Sequence, residues 1–236
     1  MTTATLAALL LVGLGSDPLT PSKPASAKEA LQPFNVLVGS WKGTGYPEGV
    51  PKADRAAGVW TETIAWGWQF KGDDARLVAT FDKGKHFTKA ELGYSVEKAT
   101  YQFVVTTVDK TTLTFTGGLK DKVLTLDRTD APAGEEQRFV VTLLHSNRHL
   151  YRFETRAGGT AVGFVKKFQV GATKEGVPFA AVAKGPECIV SGGAGTIKVS
   201  YKGVDYYVCC SGCRDEFKAD PEKYVKEAAG RANGKK

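Results

Sequence analysis

Trp60-Thr61-Glu62-Thr63-Ile64-Ala65-Trp66-Gly67-Trp68-Gln69-Phe70 decides the fold. Trp60, Glu62, Ile64, Trp66, Trp68 and Phe70 fall on one face of an extended chain, and Thr61, Thr63, Ala65, Gly67 and Gln69 on the other. A strict period of two marks a β-strand with one face buried. The aromatic face reads as core, and Trp66 and Trp68 are also placed to line a ligand cavity. Glu62 shares that face and, if buried, needs a hydrogen-bond partner.

Outward from this strand the pattern repeats. From Phe34 to about Val170 we count about ten short strands, at residues 38–45, 60–70, 76–81, 88–95, 101–108, 113–117, 123–128, 138–144, 150–155 and 163–169. Turn signals such as Lys71-Gly72-Asp73-Asp74, Lys120-Asp121-Lys122 and Gly158-Gly159 separate them. So many strands joined by hairpins predict an antiparallel up-and-down barrel over residues 31–170. Gly171-Ala172-Thr173-Lys174-Glu175-Gly176-Val177-Pro178-Phe179 breaks the pattern, so a linker is expected over 171–184. A small unit follows at 185–229, with a tail at 230–236.

With 236 residues, 42% of them hydrophobic, the chain can bury a substantial core. Its net charge of +7 comes from 32 Lys+Arg interleaved with 25 Asp+Glu. No block of like charge forms a stripe, so nucleic acid is not an expected partner. Residues 1–27 read as a signal peptide: an apolar stretch from Ala4 to Leu14, a Pro/Ser-rich segment, then Ala25-Ser26-Ala27 before Lys28. Met1 to Thr5 carries no Lys or Arg, which departs from the usual pattern. The apolar stretch is shorter than the roughly 20 residues that span a bilayer. The expectation is therefore export to the periplasm with cleavage after Ala27, not a membrane anchor.

All four cysteines lie late in the chain, as Cys188 and Cys209-Cys210-Ser211-Gly212-Cys213. Ile197–Tyr201, Lys202-Gly203 and Val204–Val208 read as a hairpin. A helix follows Cys210 with Ser211 as its cap, and a second begins at Asp220-Pro221-Glu222 and runs to about Ala229. A C-x3-C pair with one thiol at a strand end and one in the first helical turn can converge on one ion, and Cys188 can supply a third ligand. The helix N-terminus is expected to favour the Cys213 thiolate. Thiolates suit Cu(I) or Zn(II), with Cys210 as a fourth or auxiliary ligand. A unit this small ordinarily needs a metal or a disulfide. In an oxidising compartment the same thiols could pair as two disulfides. Cys210 and Cys213 also form a C-x2-C spacing, but the βαβ pattern of thiol redox enzymes is missing. No local signature of a catalytic pair occurs, so no enzymatic activity is expected.

Two resemblances add to this. Gly39-Ser40-Trp41, in the first of about ten strands, resembles the G-x-W of calycin-type barrels, whose Trp closes one end. The whole is similar to the nitrobindin-like and lipocalin-like members, which implies a carrier of an apolar small molecule as the alternative function. Some nitrobindin-like proteins hold haem through a histidine. Here His145 and His149 bracket a hairpin turn and are expected to be exposed, and His86 is the only other.

Cys188-Ile189-Val190-Ser191-Gly192-Gly193, Tyr201-Lys202-Gly203, Tyr206-Tyr207-Val208-Cys209-Cys210-Ser211-Gly212-Cys213, Phe217 and Asp220-Pro221-Glu222-Lys223-Tyr224 resemble the YHS/TRASH family. That resemblance implies a treble-clef-like α+β module that binds, senses or traffics copper or other heavy metals. It implies Cys188, Cys209 and Cys213 as ligands. Ser191 stands where many members have a second cysteine, and Pro186 precedes Cys188 where the family commonly puts Pro after it. The expected fold is thus mainly β: a calycin-like barrel followed by a treble-clef-like module.

Overall fold

The computed structural model describes residues 24–72, 74–128, 130–177 and 185–233. The alternation at Trp60–Phe70 becomes strand β2 (Trp60–Lys71), after β1 (Gly39–Pro47). The chain continues through β3 (Asp74–Asp82), β4 (Phe87–Ser95), β5 (Thr100–Thr107), β6 (Thr112–Lys120), β7 (Val123–Arg128), β8 (Glu135–His145), β9 (Arg148–Ala157) and β10 (Val165–Lys174). Each strand pairs antiparallel with its sequence neighbours, and β1 pairs with β10 to close the barrel. Closure removes the free edges that an open sheet would expose.

Side chains fill the interior. Phe139 stacks on Tyr151 at 5.6 Å between centroids, Phe153 stacks on Phe168 at 5.7 Å, and Phe103 tilts against Phe139 at 4.9 Å. Glu62 is buried and accepts hydrogen bonds from the Tyr151 hydroxyl and from Trp60 Nε1, the latter at 3.0 Å. The need for a partner is thereby met within the barrel, and burial together with the carboxylate pushes the Tyr151 hydroxyl well above its ordinary pKa.

One end is plugged by a short helix, α1 (Ala27–Ala30), and a 3-10 turn, Gln32–Leu37, neither foreseen from the sequence. Leu31, Phe34 and Leu37 are buried there, and Tyr101 Oη donates to Ala30 O at 2.8 Å. Trp41 is fully buried and its Nε1 donates to Leu37 O at 2.6 Å, so the Trp of the G-x-W does close this end. Gly39 adopts φ +121°, a conformation that favours glycine. Residues 1–23 of the expected signal peptide lie outside the described residues. Ser26 caps α1 through Glu29 N at 3.1 Å, and Ala27 is the first residue of that helix.

Three expectations change. The β10 strand runs to Lys174, pairing Thr173 with Lys42 and Lys174 with Trp41, so the start of the expected linker is barrel. Of that linker, residues 178–184 lie outside the described residues, as do 234–236 of the tail. A helical turn, α2 (Lys52–Ala57), sits between β1 and β2. Lastly, His149 is buried, not exposed. The β9 strand already begins at Arg148, and its alternation turns His149 inward, where its ring meets Trp41 edge-on at 4.5 Å.

Burial pushes His149 down to about 3, and the charge of Lys174 acts in the same direction. The folded chain therefore keeps His149 neutral where the unfolded chain takes up a proton near its ordinary 6.5. Stability is full above that value and falls by about 1.4 kcal/mol per pH unit below it, down to the folded value. We predict a loss of about 2 kcal/mol at pH 5 relative to pH 7.5 from this residue, abolished in His149→Leu. Urea unfolding of both proteins at both pH values checks it. Equal acid sensitivity in the two would contradict it.

Candidate metal centre

The second unit starts from the expected hairpin, β11 (Ile197–Tyr201) and β12 (Val204–Val208), joined through Lys202 and Gly203, both at positive φ. Two helices follow, α3 (Ser211–Ala219) and α4 (Pro221–Asn233). Asp220 Oδ1 accepts from Lys223 N at 3.1 Å and caps α4, with Pro221 in its first position as read from the sequence. The cap of α3 is Cys210, one residue before the expected Ser211. Phe217 and Tyr224 are buried where the helices pack on the hairpin.

Cys188 sits in a tight loop. Its N–H donates to Gly193 O at 2.7 Å, its carbonyl accepts from Gly192 N at 2.8 Å, and Ile189 N donates to Tyr207 O at 2.9 Å. This pins the loop beside the end of β12, where Cys209 follows Val208. Cys213 lies in the first turn of α3. The Sγ atoms of Cys188, Cys209 and Cys213 consequently lie within 4.8 Å of one another. Cys209 Sγ is 3.5 Å from Cys213 Sγ and 3.9 Å from Cys210 Sγ. Cys188 and Cys213 are fully buried, and Cys209 and Cys210 partly so. All four are free thiols here.

Metal–sulfur bonds of about 2.3 Å set sulfurs about 3.8–4.0 Å apart in a trigonal or tetrahedral site. The triad needs only small adjustment to reach that spacing, so these residues fit a thiophilic ion. Ser191 orients two of these sulfurs. Its N–H donates to Cys188 Sγ at 3.4 Å, and its hydroxyl lies 3.4 Å from Cys209 Sγ. Such contacts fix the direction of ligands from behind.

The protons of the cluster are shared. Hydrogen bonds from Cys209 and Cys213, aided by the Ser191 N–H, hold the Cys188 thiol down. The same two thiols, with the N–H groups of Cys213 and Trp68, hold Cys210 down. As donors, Cys209 and Cys213 are pushed up.

The barrel takes part in this centre. Trp68 N donates to Cys210 Sγ at 3.3 Å, and Trp68 Nε1 donates to Asn35 Oδ1 at 2.9 Å. Asn35 Nδ2 donates to Ser191 O at 2.9 Å and to Gln32 Oε1 at 2.8 Å. Lys174 Nζ donates to Val36 O at 3.2 Å and lies 5.3 Å from the Trp41 ring centre. Its charge is disfavoured by burial and favoured by Cys209. Asn35 and Lys174 carried no local signal in the sequence, since only folding brings them to the cysteines.

Trp66 and Trp68, the cavity candidates, are buried in the core, and Trp68 stacks on Phe70 at 5.5 Å. The cleft of about 550 Å³ that Trp68 borders opens outside the barrel, between β2 and α3. A separate cleft of about 360 Å³, lined by Lys85, His86, Phe87, Phe153 and Phe168 among others, lies away from both tryptophans.

Residues 193–228 match the YHS domain, a metal-associated family; the match takes in Cys209, Cys210 and Cys213 and begins after Cys188. A search of curated proteins finds no match. Among solved structures, the crystal structure of Rv2717c from M. tuberculosis is similar at 15% identity and a TM-score of 0.38, covering 62% of this chain and 97% of that one. The C-terminal segment thus matches the YHS domain over residues 193–228 and, with Cys188, holds a cysteine cluster set against a closed ten-stranded barrel.

Replacing Asn35 with Ala strands the Trp68 indole N–H and the Ser191 carbonyl. Each lost partner costs about 1–3 kcal/mol when buried, so we predict a total destabilisation of about 2–6 kcal/mol. Denaturant midpoints measure it, and a change below about 0.5 kcal/mol would contradict the bridging role.

Proposed function

We propose that this is an exported, non-enzymatic protein that captures, senses or passes on a soft metal ion, Cu(I) or Zn(II), through Cys188, Cys209 and Cys213. The observation that carries the reading is the convergence of three sulfurs within 4.8 Å, from a loop, a strand end and a helix start. Thiolates favour soft or borderline ions over Ca(II) and Mg(II), which take oxygen ligands. The match of residues 193–228 to the YHS domain supports metal handling.

Export is supported by the apolar stretch at Ala4–Leu14 and by Ala25-Ser26-Ala27, and periplasmic delivery would place the site where metal ions enter the cell. Among the described residues no helix is long and apolar enough to cross a membrane. In an oxidising compartment a bound ion would also protect these thiols from pairing.

Anaerobic titration with Cu(I) and Zn(II) against competing chelators tests the assignment. Cys188→Ser, Cys209→Ser and Cys213→Ser are each expected to weaken binding at least tenfold, as loss of one thiolate from a three-thiolate site should. Unchanged stoichiometry and affinity in Cys209→Ser or Cys213→Ser would overturn the ligand set.

A further inference from the structure

We propose that Cys210 is a fourth metal ligand, presented to the cluster by the barrel, and that the closed shell it completes raises affinity for Zn(II) more than for Cu(I). This rests on the metal-binding reading above and adds to it a further ligand and the ion that ligand serves.

Neighbouring side chains in an extended chain point to opposite sides. Cys209 and Cys210 depart from that rule, because the chain bends there as β12 gives way to α3, and their sulfurs lie 3.9 Å apart. That is the spacing of two sulfurs bound to one ion at about 2.3 Å each. Cys210 Sγ is also in hydrogen-bonding contact with Cys213. It thus adjoins two members of the triad already. Of the four sulfurs it alone stands outside the 4.8 Å group, so it is the one that moves when the shell closes.

The barrel supplies what a bound Cys210 thiolate needs. Pairing of β2 with β1 ends at Trp66, so no β1 residue lies opposite Trp68, and the Trp68 N–H donates to Cys210 Sγ at 3.3 Å. At the other end of the cluster the Ser191 N–H donates to Cys188 Sγ at 3.4 Å. A metal-bound thiolate accepts such bonds, which fix its direction and offset its charge. The offset matters because a divalent ion with four thiolates carries two excess negative charges. At Gly212 a built Cβ would lie 1.7 Å from Trp68 O, so glycine lets the start of α3, with Cys210 as its cap, seat directly on the strand.

Three thiolates leave a zinc ion with an open fourth position, whereas structural zinc sites are four-coordinate and closed. A fourth thiolate therefore serves Zn(II). Cu(I), singly charged and satisfied by fewer thiolates, gains less from it against the added repulsion.

Loading the full chain anaerobically with an NMR-active isotope of cadmium counts the ligands without any substitution, since each ligating cysteine correlates its β-protons with the bound ion. All four cysteines are expected to correlate with one cadmium resonance. Cys210→Ser gives the second measurement, and serine is a good helix cap, so α3 keeps its start. Its Zn(II) affinity is expected to fall by about tenfold or more, since even the outer partners of a ligand are worth about 10–100-fold. Its Cu(I) affinity is expected to fall by less.

Correlations from Cys188, Cys209 and Cys213 alone would overturn the proposal and leave the three-sulfur site intact. So would a folded Cys210→Ser chain that binds Zn(II) as tightly as the unaltered protein, or one that loses Cu(I) affinity as steeply as Zn(II) affinity. Binding of Cu(I) without Zn(II) or Cd(II) by the unaltered chain would also overturn the proposal alone. Failure to bind any of the three ions would overturn it together with the metal-binding reading.

Discussion

Strand β2 continues past the last residue that β1 can pair with, and the rest of the molecule is arranged around that overhang. A strand edge left open invites either misassociation or a built-in cover. Here the cover is the start of α3: Cys210 accepts the Trp68 N–H, and Gly212 lies against the Trp68 carbonyl. The same tryptophan reaches through its indole to Asn35, which holds the Ser191 carbonyl. One barrel residue thus touches the cysteine cluster along two routes, one to a sulfur and one to the loop that aims two others. The cysteine unit is small, so this junction supplies part of the packing that a larger core would give.

Charge follows the same plan. The barrel meets the cluster with the Trp68 N–H and with the half-buried Lys174, whose charge is disfavoured by burial and favoured by Cys209. Lys174 is the last residue of β10, paired with Trp41, so the strand that closes the barrel also brings the cation toward the sulfurs. His149, neutral beneath the Trp41 ring, completes the packing at this end without adding charge.

How much of this was legible in the sequence depends on how local the signal is. The barrel strands were readable because alternation acts over a few residues, as at Trp60–Phe70, and the α4 cap was readable because Asp220-Pro221 is a local stop and start. The convergence of Cys188, Cys209 and Cys213 was readable from C-x3-C spacing and the resemblance carried by Tyr206–Cys213. His149 was misplaced because a turn beside it masked the start of β9, and one residue of register reverses which face is buried. The plug at Gln32–Leu37 and the bridge at Asn35 left no periodic trace. Their roles exist only when segments far apart in the chain, such as Asn35 and Ser191, are brought together.

The central claim is that the cysteines at the barrel junction form a metal site. Metal content by mass spectrometry on protein expressed from the full chain, purified anaerobically with thiols counted on the same sample, tests it most directly. The account predicts about one copper or zinc per chain, with thiols titratable only after chelation. No metal together with no free thiols would mean that the cysteines pair with one another, and would contradict it.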